Sequence, residues 1–267
     1  YKLNKFDDYK YFKKRSRNWE PNFSSEIQLL LSKDRNGRFI HKDPLSNVGW
    51  VESNSWQASW GVSHDIYRLI ELMGGEENFC KKLNYAFSQS EKDDFVYSYS
   101  NGYISYANQP GCSDAHVFSY ARKPWLTQYW VRKVKQQAYG GTTPDLGYGG
   151  HDEDQGQMSA IDVLMSIGLF NILGTESIKP FYEITSPIFD EIIIKLDNNY
   201  YQGDRFIIKT HNNNRDNVYI NKASFNGNVL NRFWITHDDF QKGGIMELWL
   251  DKVPNYNWGT NELPKIQ

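Results

Sequence analysis

Three consecutive acids, Asp152, Glu153 and Asp154, stand in the stretch GYGGHDEDQGQMSA, 147–160, directly after a run with five glycines in 140–150. Three like charges in a row repel, and glycines let such a loop bring its backbone close to a ligand or to another segment. If the backbone is extended there, Asp152 and Asp154 face one side and Glu153 the other. Two carboxylates facing one cavity raise the proton affinity of one member and can orient a water for attack. A hard cation such as Ca²⁺ would also relieve the repulsion. The alternative is an acidic, solvated loop that caps a helix starting near Gln157.

A second polar and aromatic cluster is VESNSWQASWGVSHD, 51–65, in which Glu52, Asn54, Gln57, His64 and Asp65 alternate with Trp56 and Trp60. A carboxyl beside tryptophans is partly desolvated and can stay protonated near neutrality, as a general acid must. The competing reading makes both rings core and gives Ser63 or Asp65 the task of capping the next helix. A third cluster, SYANQPGCSDAH, 105–116, offers the amide oxygens of Asn108 and Gln109, which Ca²⁺ accepts as ligands. One acid beside aromatics and a separate acidic pair are the two components of glycoside hydrolysis. An inverting enzyme holds them roughly 6.5–9.5 Å apart to leave room for a water.

The elements that must position these groups divide near residue 175. Before it the apolar spacing is helical, in 64–75, 76–87, 114–122, 125–138 and the very apolar 157–170, with Pro124 suited to a first turn. Helices in pairs joined by long polar loops suggest an α/α hairpin array such as a helical toroid. After residue 180 the period changes to two, in 191–196, 205–211, 218–225 and 245–250, and Asn226-Gly227 signals a tight hairpin. The expected fold is mainly α, a toroid portion over 1–175 followed by a small antiparallel β region over 176–267.

The chain has 267 residues and a formal net charge of −2, with 30 basic and 32 acidic residues, which gives no reason to expect nucleic acid or an anionic membrane as partner. No apolar run approaches the ~18 residues of a membrane span. Aromatics make up 16% of a chain whose mean hydropathy is −0.69. That combination suits a carbohydrate cleft, where flat rings stack on sugar C–H faces, although aromatics dominate cores generally. Cys80 and Cys112 could pair, but their spacing matches no metal site. The opening 1–19 reads as a helix already under way, with Phe6, Tyr9, Phe12 and Trp19 roughly on one face, so the chain is expected to begin inside a larger protein.

Taken in order, VESNSWQASW with HD (51–65), LIELMGGEENF (69–79), NQP (108–110), KPWLTQYWVRKV (123–134), GHDEDQGQMSA (150–160), HDDFQKGG (237–244) and NWG (257–259) resemble glycoside hydrolase family 92 over essentially the whole chain. The resemblance implies an exo-acting, inverting, Ca²⁺-dependent α-mannosidase. Its substrate would be a mannose-containing glycan, and its location extracellular, periplasmic or on the cell surface. It implies Glu52 as general acid and Asp152 with Asp154 as the general base. Gln57, Asn108 and Gln109 are the expected Ca²⁺ ligands, and Trp56, Trp60, His64 and Asp65 are expected to shape the substrate pocket. It covers only the C-terminal part of a family member. The β-sandwich and first half of an (α/α)6 toroid that open such proteins would form a missing N-terminal segment, without which a large apolar surface is exposed. Many relatives carry Asn-Glu-Pro where this chain has Asn108-Gln109-Pro110, one carboxylate fewer. The linkage cleaved, α-1,2, α-1,3, α-1,4, α-1,6 or a mannose-phosphate diester, stays open. A phosphate leaving group hardly needs protonation, so the presence of Glu52 argues against the last. The rival readings are a toroid remnant that binds mannose without cleaving it, and another toroid glycosidase or phosphorylase working without Ca²⁺.

Overall fold

Helical spacing becomes buried helix where one face is apolar. In the computed structural model, which describes residues 3–97, 100–143, 156–174 and 179–266, α4 (Glu76–Ser90) buries Phe79, Cys80, Leu83, Ala86 and Phe87, spaced by three and four. Glu76 and Glu77 in its first turn suit the positive end of the helix dipole. The other long helix of this part, α5 (Pro124–Gln137), opens on Pro124 and buries Trp130, Val131 and Val134. Phe87 stacks on Trp130 with centroids 5.0 Å apart, which joins the two helices. Shorter helices precede and follow: α1 (Phe6–Arg15), α2 (Ser55–Ala58), α3 (Ile66–Leu72), α6 (Gln157–Ile167) and α7 (His237–Gln241).

Three elements depart from the expected pattern for local reasons. Residues 114–122 hold no amphipathic helix but a 3-10 turn, Val117–Ala121, whose five residues are all buried. An element enclosed on every side has no wet face to make a period. The apolar stretch 157–170 ends its helix at Ile167, because Gly168 takes a left-handed conformation at a point where a Cβ would press on Thr185 O and Pro187. Leu169–Phe170 then forms β3. The expected aromatic stripe divides: Phe6, Tyr9 and Phe12 on α1 are exposed and the helix buries no residue, while Trp19 beyond its end is half-buried against the core.

The strands assemble into three small sheets. Next to the two-residue pair β1 (Phe23–Ser24) and β2 (Leu29–Leu30), a three-stranded antiparallel sheet joins β3 to β4 (Phe181–Ile184) and β9 (Trp234–Thr236). The five-stranded sheet runs β5 (Glu191–Lys195), β6 (Arg205–His211), β10 (Gly244–Asp251), β7 (Tyr219–Phe225) and β8 (Asn228–Val229). Its pairs are antiparallel except one: β10 lies parallel to β6. The long excursion between β6 and β10 supplies the crossover that a parallel pair requires. Asn226 and Gly227 both take positive φ between paired Phe225 and Asn228, as the two central residues of a type I′ hairpin do. The architecture is therefore mixed helix and sheet rather than mainly α. One apolar cluster runs from Leu29 on β2 to Trp258 beyond β10, and the buried bond from Ile220 N to Gln128 Oε1 (2.9 Å) ties β7 to α5. Among the described residues no helix is long and apolar enough to cross a membrane. Cys80 and Cys112 are both free and buried, and burial pushes each thiol up to about 12.

The core also encloses polar groups. Glu183 on β4 accepts from Tyr120 Oη at 2.5 Å and from Ile172 N at 3.0 Å. Its other oxygen lies 3.1 Å from His116 Nδ1, off the line of a hydrogen bond, and the His116 ring stacks on Phe170 at 3.8 Å. Asp114 is fully buried, and neither of its oxygens has a hydrogen-bond partner among the described residues. Burial pushes its carboxyl well above the usual range. The folded state therefore favours the neutral acid, a contribution fully present below the unfolded value of ~4 and lost as pH rises through the folded value. Asp114→Asn is expected to raise stability at neutral pH by about 2 kcal/mol, with the gain shrinking towards pH ~4. Thermal melts of both proteins across that range check it; parallel curves would contradict the assignment.

Candidate active site

The segment carrying Glu52 is anchored by the residues after it. Asn54 caps α2 by accepting from Gln57 N at 3.1 Å, while its amide donates to Ser100 O at 2.8 Å and Gly102 O at 2.9 Å. Asn54 is fully buried, so one side chain fixes both the helix start and the 100–102 loop. On the other side, Leu30 N donates to Ser59 Oγ at 2.8 Å and holds the end of α2 against β2. Just before these anchors Glu52 adopts a positive φ, a left-handed backbone that a glutamate rarely takes and that costs on the order of 1 kcal/mol.

The second loop closes on it from 105–111. Gly111 is required there, since a Cβ would overlap Ser105 O. The close approach makes the turn Gln109–Gly111, capped by Asn108 Oδ1, which accepts from Gln109 N at 2.9 Å. The amide end of Asn108 then points to Glu52, donating to its carboxylate at 3.2 Å and lying 3.4 Å from its carbonyl oxygen. Asn108 is buried and Glu52 exposed, so a fixed amide holds an accessible carboxylate.

The other expected residues separate into groups. Gln57 is buried and its Nε2 donates to Asn101 O, which turns its Oε1 away from that contact. Its helix packs against the Gln109–Gly111 turn. Gln57, Asn108 and Gln109 thus share one neighbourhood with Glu52. Trp56 lies edge-on to Tyr103 at 5.1 Å, with the Lys82 ammonium 5.1 Å above its ring. Burial holds Lys82 below the usual lysine range. Trp60 is fully buried against Phe79 at 5.6 Å, a core ring with no face free to stack on a ligand. His64 Nε2 lies 2.9 Å from Ser16 O, and Asp65 Oδ2 accepts from Trp19 Nε1 at 3.3 Å. Both bind the segment after α1 to α3, and no hydrogen bond joins either to Glu52 or Asn108 among the described residues. Asp152, Glu153 and Asp154 lie outside the described residues. Spacing alone gives Asn54 no role at the site, although an Asn directly before SWQA carries the ordinary signal of a helix cap.

The donor set suits a hard cation in part. Gln57 keeps its oxygen and Asn108 Oδ1 retains a second lone pair after accepting from Gln109 N. Among the described residues no group of three or more His, Cys, Asp or Glu is placed to hold a metal ion, and the oxygen donors near Glu52 include the amides of Gln57 and Asn108.

Residues 1–252 match the glycosyl hydrolase family 92 catalytic domain. A protein of Arthroderma benhamiae described as an uncharacterized secreted glycosidase is 28% identical over 96% of this chain and 34% of its own length. A family GH92 α-mannosidase of Bacteroides thetaiotaomicron superposes with a TM-score of 0.84 at 26% identity, over 97% of this chain and 33% of that one. A family GH92 inverting mannosidase of the same organism gives a TM-score of 0.80 at 28% identity, over 97% and 36%. The chain spans about a third of the length of these relatives. The match extends across both helical and β parts, and on that extent the chain belongs to glycosyl hydrolase family 92.

Proposed function

We propose that the protein, in the longest form its gene encodes, is an exo-acting, inverting α-mannosidase that removes terminal mannose from glycans outside the cytoplasm. The observation that carries this reading is the exposed Glu52 carboxylate held at 3.2 Å by the buried Asn108 amide. The mannosidase neighbours and the relative described as secreted support the substrate and the location. In this reading the helical part belongs to an (α/α)6 toroid whose other half corresponds to the part of the relatives that this chain does not cover.

Glu52 protonates the departing glycosidic oxygen. Asn108 keeps that carboxyl aimed by donating to the oxygen that does not carry the proton. Asp152 and Asp154 take a proton from a water that attacks the anomeric carbon from the opposite face, so α-mannoside yields β-mannose. Gln57, Asn108 and Gln109 would hold Ca²⁺, which would supply Lewis-acid chemistry to the sugar hydroxyls when bound. Trp56 would border the sugar.

Proton NMR of the first mannose released from an α-mannoside tests this directly. The β anomer should appear first, and chelation should slow release by about tenfold or more, with Ca²⁺ restoring it. Early α-mannose would overturn inversion. Calorimetric binding of mannose without hydrolysis would favour a binding module, and full rate after chelation another class of toroid glycosidase.

A further inference from the structure

A cleft that Glu52 does not line opens between α5 and the loop joining β6 to β7. Its volume is about 810 Å³, in the range that holds a small ligand. Neither Glu52, Gln57 nor Asn108 lines it. Its wall is cationic although the whole chain is slightly acidic: five Lys and Arg residues line it against one carboxylate, Asp216, among the described residues. Lys133 is paired with Glu91 at 2.8 Å and Lys135 with Asp162 at 3.0 Å, so with Asp216 offsetting one more charge a surplus of two cations remains among the described residues.

The scaffold holds those charges in place. Arg132 donates to Asn214 O at 2.8 Å and to Pro187 O, fixing the 213–214 loop against α5. That sets Arg215 beside the Gln136 side chain and close enough to Lys133 to repel its charge. Lys252 enters from the end of β10, exposed, with no ion pair to a described carboxylate. The floor carries Tyr129 and Tyr219, whose rings are nearly parallel (10°) with centroids 6.4 Å apart and which are both half-buried. A concave site lined by one sign of charge concentrates the opposite ion. Guanidinium beside ammonium suits a tetrahedral oxyanion, and aromatic faces suit the C–H face of a sugar.

We propose that this cleft is a second binding site, for a sugar carrying a phosphate or sulfate group, with Arg215 and Lys252 holding the oxyanion and Tyr129 and Tyr219 supporting the ring. The acids that flank it, Asp216, Glu91 and Asp162, limit it to a single anionic group and disfavour an extended polyanion.

Calorimetry on the complete protein with mannose 6-phosphate, mannose 6-sulfate, inorganic phosphate and mannose tests the assignment. Both anionic sugars should bind, at least tenfold more tightly than inorganic phosphate, and mannose should leave this site empty. The double variant Arg215→Ala, Lys252→Ala should lose binding at least tenfold, while Asp216→Asn, which removes the opposing charge, should tighten it. Neither variant should change hydrolysis of a neutral α-mannoside, which keeps this result separate from the role of Glu52. Inorganic phosphate binding as tightly as the sugar phosphate would make this a simple anion site and overturn the proposal. So would unaltered binding by the double variant, or anionic sugars competing only with substrate at the Glu52 site.

Discussion

Glu52→Gln in the complete protein is expected to lower kcat on a natural α-mannoside by roughly 10²–10⁴, the usual worth of a positioned general acid, with the melting temperature nearly unchanged. The substitution removes only the transferable proton. Its amide oxygen can still accept from Asn108, and the exposed position leaves no cavity behind. The left-handed backbone at this position is kept as well, because glutamine tolerates it no better or worse than glutamate. A large fall in activity with an unchanged melt therefore isolates proton donation from architecture. Steady-state kinetics on a disaccharide beside a thermal melt make the comparison. Retention of most of the activity would remove Glu52 from the reaction.

The largest effect on stability is expected at Glu183. Its side chain is fully buried and receives Tyr120 Oη and Ile172 N while facing His116. Glu183→Ala strips all of these groups of their partner at once and leaves an empty space between β4 and the Val117–Ala121 turn. Breaking such a buried set by removing one member costs about 3–5 kcal/mol, or roughly 10 °C in melting temperature for a chain of this size. Glu183→Gln keeps the shape and one acceptor for Ile172 N, so it should cost clearly less. Calorimetric melts of the two variants check the order. If both melted like the parent, the buried group would not be what joins β4 to the helical part.

Both predictions concern features that spacing reveals unequally. The long strands β6 and β10 were legible because alternation over seven or eight residues, with one side wet, leaves a clear period, and β7 was legible from its bounding turn signals, the Asn226-Gly227 hairpin among them. The same holds for α4 and α5, whose buried residues recur by three and four. Strands of two to four residues such as β3, β4 and β9 are too short to display alternation, so no local pattern marks them. The insertion of β10 between β6 and β7 depends on long-range pairing that local spacing does not encode. A fully enclosed turn such as Val117–Ala121 resembles any apolar run.

At the site, the residue types around Glu52 were legible, but not which way each amide turns. In sequence Asn108 reads as a cation ligand, and only the folded loops show its nitrogen on Glu52 and its oxygen on Gln109 N. The tryptophans illustrate the converse. Trp56 and Trp60 are four residues apart, look alike in sequence and are both buried, yet Trp60 is closed off completely against Phe79 while Trp56, 8% exposed, sits edge-on to Tyr103 below Lys82. A helical turn places two such rings near one face, and the depth of each is then decided by what packs over it.

Whether Glu52 donates the proton is answered most directly by the dependence of kcat/KM on the leaving group in Glu52→Gln. A series of α-mannosides running from acidic aryl to alkyl leaving groups separates bond cleavage that needs protonation from cleavage that does not. The variant should hydrolyse the most acidic aryl mannoside nearly as fast as the parent and fall progressively behind, by about 10³-fold at the alkyl end. An equal loss across the whole series would contradict Glu52 as the acid, since only a group that protonates the departing oxygen matters more as that oxygen becomes more basic.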